Sequence, residues 1–437
     1  VLGAANSFTL GAAAQNVTGS SGNDTISVGG LTASGTLNGA GGTDTLIIGN
    51  GGSIADALVS GIETLTVSSG ASVTMTEAQH DAFSTINGTG TNQITISAAT
   101  DGLSGSAAIE TYVLGAANSF TLGAAAQNVT GSSGNDTVNI GSLTATGTLN
   151  AAGGTDTLEM SSGANISGAS VSSFENLTLA SGASVTVGAF QLAQFSGTIT
   201  AAGSETVTVN GDGDFTTLAN VETFIVNDDA TNARTVTVAS ANTDVTATSV
   251  TDAVTFNLGS LTYTGTLTGE GTTNDTVSLG NGASIASATL NNIENLTLAS
   301  GGSFTMNVSQ VGAFTGTITA AGSESVTVVG DGNFTTLANV ETFNVDDDST
   351  NTRSVRVADA GTSVTATSGS DAVTFDLGSL TYTGTITGEG TTGDTLSLIN
   401  GANISGGTIN NVSNLTLASG ASVTMTVDQL NALSGTI

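Results

Sequence analysis

Short strings of alternating apolar and hydroxyl residues recur along the whole chain. Examples are Thr64-Leu65-Thr66-Val67, Ser72-Val73-Thr74-Met75, Thr206-Val207-Thr208-Val209 and Thr235-Val236-Thr237-Val238. A period of two predicts strands with Val, Ile and Leu facing inward and Thr and Ser outward. Strands this short cannot bury a face alone. Stacked coil upon coil, they form parallel sheets around a continuous apolar core. Gly-Ala, Gly-Asn and Ser-Gly steps lie between the strings and suit corners, where positive φ is easiest for Gly and Asn. The chain has no Pro, as expected if nearly every strand N–H is needed by a neighbouring coil. The pattern therefore predicts an all-β fold, a parallel β-solenoid.

Repeats set the coil length. Asp24 and Asp44 begin equivalent strands 44 − 24 = 20 residues apart, and Glu63 and Ser84 continue the step. A coil of about 20 residues follows, nested in a larger repeat. Val1–Thr25 returns letter for letter as Val113–Thr137, and Leu218–Phe224 returns as Leu337–Phe343. These returns divide the chain into solenoid modules at 1–112, 113–224, 225–343 and a partial 344–437, read as one continuous array. Within them an apolar-Glu-(Thr/Asn)-apolar string recurs, as at Ile62–Leu65, Ile109–Tyr112 and Phe174–Leu177, with its Glu expected outward at the start of a coil. Neither end shows a distinct capping repeat, so the expectation is a slice of a longer chain or ends covered by neighbouring subunits.

One segment per module breaks the alternation. Thr76-Glu77-Ala78-Gln79-His80-Asp81-Ala82-Phe83 has counterparts starting at Gly188, Asn307 and Thr426, each with a Gln at the fourth position. The starting residues are acceptable helix N-caps. In the last copy Val427, Leu430 and Leu433 fall on one helical face. A helix of one to two turns is predicted, acting as a local cap on the core in preference to a docking knob.

Charge narrows the partners. Among 437 residues, 35 acidic side chains face three arginines (Arg234, Arg353, Arg356) and no lysine, for a net charge of −32. Nucleic acid is excluded as a partner, because neutralising phosphates takes Lys and Arg; anionic membrane surfaces are disfavoured for the same reason. No apolar run approaches the ~20 residues of a membrane span, so no membrane insertion is expected. The first residues carry no basic stretch of a secretory leader. So large a negative charge repels itself unless cations bind. The absence of Cys removes disulfides and thiolate metal sites. His80 has no counterpart in the other modules and is given no metal or catalytic role.

The candidate chemistry lies in glycine-rich turns followed by an aspartate. Gly19-Ser20-Ser21-Gly22-Asn23-Asp24-Thr25-Ile26 and Gly39-Ala40-Gly41-Gly42-Thr43-Asp44-Thr45-Leu46 are the first pair. Asp136 and Asp156 repeat them, and Asp275 and Asp394 sit in looser turns, with Asp252 and Asp371 as further partners. These stretches resemble the calcium-binding nonapeptide of RTX proteins, Gly-Gly-x-Gly-x-Asp-x-apolar-x. The resemblance implies Ca²⁺ held by turn carbonyls and by Asp24, Asp44, Asp136, Asp156, Asp275 and Asp394, with Gly22, Gly42, Gly134 and Gly154 at the family's glycine position. Oxygen-rich stacked turns suit a hard cation. RTX turns recur every nine residues, whereas here one occurs per coil, which implies isolated ions. Asp212, Asp228, Asp229, Asp346, Asp347 and Asp348 form further acidic clusters, with calcium binding or a solvated corner as equal alternatives. Arg234, Arg353 and Arg356 follow two of these clusters and are expected to pair locally with them.

More broadly, the Glu-(Thr/Asn)-Leu strands and Gly-Gly-Thr-Asp-Thr-Leu turns resemble bacterial S-layer proteins and large surface adhesins exported by type I secretion. That resemblance implies an extracellular, cell-surface structural protein that assembles with copies of itself into a layer, filament or fibre, stabilised by Ca²⁺, with cell-surface polysaccharide as a further partner. A calcium-dependent adhesin stalk is the alternative. An ice-binding solenoid is disfavoured by the mixed outward residues. A polysaccharide-active β-helix enzyme is disfavoured because no acid–base pair stands out from the repeat.

Overall fold

The computed structural model describes residues 1–98, 102–211, 213–227, 233–248, 252–271, 274–346, 352–367, 372–390 and 393–437. It divides into two compact units, Val1–Asn210 and Gly211–Ile437. Each is a parallel β-solenoid, as the alternation predicts.

In the first unit, Ser7–Thr9, Thr25–Gly29, Thr45–Ile48, Thr64–Val67 and Thr85–Gly88 stack as successive parallel strands. A second row runs through Ser72–Met75, Gln93–Ile96 and Thr111–Leu114 to Ser170–Ser172. A third runs from Leu103–Ser104 to Ile199–Thr200. The second unit repeats the plan, with rows from Phe215–Thr216 to Ile318–Thr319, from Ser303–Asn307 to Thr408–Asn410 and from Phe334–Thr335 to Asn414–Leu417. The register matches like with like: Thr25 faces Thr45, which faces Thr64, and Ile26 faces Leu46, which faces Leu65.

Alternation places the core. In Thr25–Gly29 the inward Ile26 and Val28 are buried while Thr25 and Ser27 are half-buried. Leu46, Ile48, Leu65 and Val67 continue the same inner rows. Each such side chain contributes about 1.5–3 kcal/mol by leaving water, and no strand could gather that alone. Phe120, Phe174, Phe224, Phe256, Phe304, Phe343 and Phe375 fill the wider interior. Tyr263 and Tyr382 join them, with their hydroxyls donating to the carbonyls of Thr243 and Thr362 in the preceding coil.

Among the described residues, four short helices interrupt the coils: α1 (Glu77–Asp81), α2 (Ala189–Leu192), α3 (Val308–Ala313) and α4 (Val427–Ala432). They start after Thr76, Gly188, Asn307 and Thr426, the predicted N-caps. The Gln at the fourth position explains why the segment recurs. Gln79 accepts from the N–H of Thr76 through Oε1 (2.9 Å) and donates through Nε2 to the carbonyls of Ile54 (2.7 Å) and Ala57 (2.9 Å) in the preceding coil. Gln191, Gln310 and Gln429 make the same three bonds in their modules. Each helix is thus a clamp on the coil before it, in keeping with a local cap. The apolar face expected of α4 is not buried as a unit: Val427 is 72% exposed and Leu430 46%, with only Leu433 of the three inside. Gln429 faces inward instead.

Candidate functional site

The predicted aspartates come together as corner columns. Asp24 lies at the foot of Thr25–Gly29, directly before the strand that the alternation anchors, and is 1% exposed. Its Oδ1 accepts from the N–H of Asn6 (2.8 Å) and its Oδ2 from the N–H (2.6 Å) and hydroxyl (3.0 Å) of Ser20. Its own N–H donates to Oδ1 of Asp44 (2.6 Å), and the N–H of Asp44 donates to Oε2 of Glu63 (2.9 Å). The column steps from one coil to the next through backbone donors and side-chain acceptors.

The second module builds the same column. Asn118 N–H donates to Asp136 Oδ1 (2.8 Å), Ser132 to Asp136 Oδ2 (2.7 Å), Asp136 N–H to Asp156 Oδ1 (2.7 Å) and Asp156 N–H to Glu175 Oε2 (2.9 Å). Asp275 accepts from the N–H groups of Val254 (2.7 Å) and Glu270 (2.8 Å), and Asp394 from those of Val373 and Glu389 (both 2.7 Å). The chemistry is that of a helix N-cap transferred to a solenoid corner. Buried backbone N–H groups must find acceptors, and an ionised carboxylate is a strong one.

The glycines serve this stacking. Gly42 and Gly154 have φ of +121° and +139°, and a Cβ on either would lie 2.8 Å or less from the backbone of Gly22 or Gly134 in the coil before. Gly22 and Gly134 themselves press against Ala5 and Ala117.

The paired turns differ in one respect. Ser20 and Ser132 cap Oδ2 of the first aspartate, but Ala40 and Ala152 stand at those places in the second turn. With φ of +72° and +70°, they send their N–H to Asn38 and Asn150 instead. Oδ2 of Asp44 and of Asp156 is consequently buried without a hydrogen-bond donor. The hydrogen bond from the Ser20 backbone holds the Asp24 carboxyl below its ordinary range despite burial. Asp156 is pushed up, first by desolvation and then by the charges of Asp136 and Glu175.

Several acceptors escaped the sequence reading. Glu63, Glu110, Glu175 and Glu294 do not simply point outward: each takes a backbone N–H from the preceding coil, at Asp44, Asn92, Asp156 and Asp275. They precede their strands, so the two-residue alternation does not govern them. Glu205 and Glu324, both fully buried, gather three backbone N–H groups each. The Ala-Ala-Gly-Ser-Glu string that carries both was the available signal.

Asp252 keeps one buried oxygen without a hydrogen bond, and Asp346 is the exposed last residue of Thr342–Asp346. Asp212, Asp228, Asp229, Asp347, Asp348 and Asp371 lie outside the described residues. Arg234 and Arg353 are buried, each 2% exposed, and Arg234 donates to the Gly211 carbonyl (2.7 Å); most of the acidic clusters they are expected to pair with lie outside the described residues. Arg356 is exposed and lies 3.7 Å from Asp376.

Calcium takes six to eight oxygens. At Asp24, Asp136, Asp275 and Asp394 both carboxylate oxygens already accept backbone N–H bonds, the arrangement of a cap. Spare acceptor capacity is found at Asp44 and Asp156. Among the described residues, no three His, Asp or Glu side chains gather as a metal-binding group. No described helix is long and apolar enough to cross a membrane. Comparison with protein-family models, curated proteins and solved structures finds no match.

Proposed function

We propose that this chain is an extracellular structural solenoid that associates with copies of itself into a cell-surface layer, filament or fibre. The observation that carries the reading is the use of its acidic residues. The recurrent carboxylates act at coil corners as backbone caps, so the repeat is spent on building a scaffold. Outward positions of these strands are mostly Thr, Ser and Asn in register, with Ile47, Gly188 and Val329 among them, which offers extended neutral faces for lateral contact. The net charge of −32 opposes such contact until cations screen or bridge it.

Calcium enters as that cation. Asp44 and Asp156 would anchor it through Oδ2, and its chemistry there is charge neutralisation. Sedimentation velocity with millimolar calcium and with EDTA tests this reading. Calcium-dependent growth in particle size supports it. A chain that stays monomeric at high concentration in both conditions refutes self-association and leaves an adhesin stalk as the better reading.

A further inference from the structure

The modules provide internal controls for one another, and one module departs from the others in a coupled way. Helix α1 carries Glu77 and His80 where α2 carries Ala189 and Leu192 and α3 carries Val308 and Val311. The strand facing His80 carries Tyr112 where the equivalent strands carry Phe224 and Phe343. Leu192, Val311, Phe224 and Phe343 are all buried. The module therefore folds with apolar residues at the His and Tyr positions, and the polar set is an addition.

His80 and Tyr112 form one hydrogen-bonded set and Glu77 another. His80 is 4% exposed and Tyr112 fully buried. His80 Nε2 lies 3.1 Å from the Tyr112 hydroxyl, and His80 Nδ1 lies 3.1 Å from Asp81 Oδ1. The Tyr112 oxygen accepts the N–H of Ser106 (2.8 Å). This arrangement assigns neutral His80 the tautomer with the proton on Nδ1, donating to Asp81, while Tyr112 O–H donates to Nε2. Glu77, fully buried, accepts from the N–H of Gly102 (2.8 Å) and from Asn118 Nδ2 (3.1 Å). A cleft of about 390 Å³ opens beside the network, lined by His80, Asp81, Phe83, Ser84, Ser104 and Ser106 among others.

We propose that His80 and Tyr112 form an acid-sensitive latch, which holds the end of α1 and the Ser106 turn together while His80 is neutral and widens the adjoining cleft when it is protonated. A proton on Nε2 turns that atom from acceptor to donor. The Tyr112 hydroxyl must then give up its bond to His80, and its oxygen faces two donors, His80 and Ser106. Among the described residues, the charges that act on His80 are those of Asp81 and Glu77, which favour the protonated form; Tyr112 contributes a neutral hydroxyl. Burial outweighs the two carboxylates and holds the imidazole below its ordinary value. The sign follows. The folded state binds fewer protons than the unfolded state, so the contribution of the latch is complete above the unfolded value of about 6.5 and is lost as pH falls below it.

The sequence holds one histidine, so its ring resonances need no assignment. NMR titration of the whole chain is expected to give a midpoint below 6.5. Hydrogen exchange of the Ser106 amide, corrected for intrinsic chemistry, is expected to quicken across the same midpoint. His80→Leu, the residue found in α2, is expected to abolish that quickening, and Tyr112→Phe to weaken it. A midpoint at or above 6.5, or identical Ser106 exchange profiles in wild type and His80→Leu, overturns the latch. If His80→Leu does not fold, the wild-type titration and exchange profile decide: Ser106 protection that is unchanged through the His80 midpoint refutes it.

Discussion

The backbone N–H of Asp136 donates to Oδ1 of Asp156 at 2.7 Å, one coil further along the chain. Through that bond an aspartate is both the cap of one corner and the donor to the next. A pair of residues 20 positions apart thereby ties adjacent coils at the point where the strand ladder is interrupted by a turn.

Removing the side chain tests the cap. Asp136→Ala leaves the N–H groups of Asn118 and Ser132 without their acceptor, and a buried unsatisfied donor costs about 1–3 kcal/mol. Urea unfolding is expected to show a loss of about that size. Asp136→Asn keeps one carbonyl acceptor and is expected to lose less. Equal stability of Asp136→Ala and wild type would show that the N–H groups are satisfied in another way.

Acid has opposite effects on the two kinds of corner. Asp24 is held low, so the stability it contributes is present above the unfolded carboxyl range and is lost as pH falls through the folded value. Asp156 is pushed up, so its ionised form opposes folding near neutrality and protonation relieves it. Asp156→Asn keeps the acceptor for Asp136 and removes the repulsion. Its melting temperature is expected to match or exceed that of wild type at pH 7, with any gain shrinking toward pH 4. Asp24→Asn is expected to melt below wild type at pH 7. A reversed order of the two variants contradicts the electrostatic reading.

The helices are clamps if their glutamines matter and their exposed residues do not. Gln191→Ala removes bonds to Gly188, Ile166 and Ala169 and is expected to cost about 1–3 kcal/mol. Phe190, 76% exposed on the same helix, is expected to tolerate Ala with a change within about 0.5 kcal/mol. Comparable losses from both would point to a role for the outer face of α2.

Glycine positions should separate by geometry. Gly154→Ala meets both a positive φ and the Gly134 carbonyl at 2.5 Å, whereas Gly141 and Gly182 have positive φ with nothing within 4 Å. Differential scanning calorimetry is expected to show a large drop for Gly154→Ala and a smaller one, about 1–2 kcal/mol, for the other two. Similar drops at all three would remove close stacking as the reason for Gly154.

Most of the fold was legible because its information is periodic. Thr64-Leu65-Thr66-Val67 announces a strand and an inner face without any knowledge of its neighbours, and the 20-residue step between Asp24 and Asp44 announces the coil. The corner chemistry was harder to read. Whether the Asp24 carboxylate holds a cation or a backbone N–H depends on Asn6 and Ser20, one of them in another coil, and the Gly-x-Asp spacing is the same either way. The difference between the two turns was nevertheless written in Ser20 against Ala40. Glu63 and Glu175 stand just before their strands, where the backbone turns and alternation does not place a side chain, so the letters do not tell an outward carboxylate from one that takes a backbone N–H of the preceding coil. His80 lacks counterparts in the other modules, as do Glu77 and Tyr112, and their joint departure from the repeat is the informative signal.

Self-association of the scaffold is tested most directly by negative-stain microscopy of the purified chain at several concentrations, with calcium and after chelation. Ordered filaments or sheets that form with calcium and disperse with EDTA are the predicted result. Separate particles at every concentration, unchanged by calcium, would contradict it.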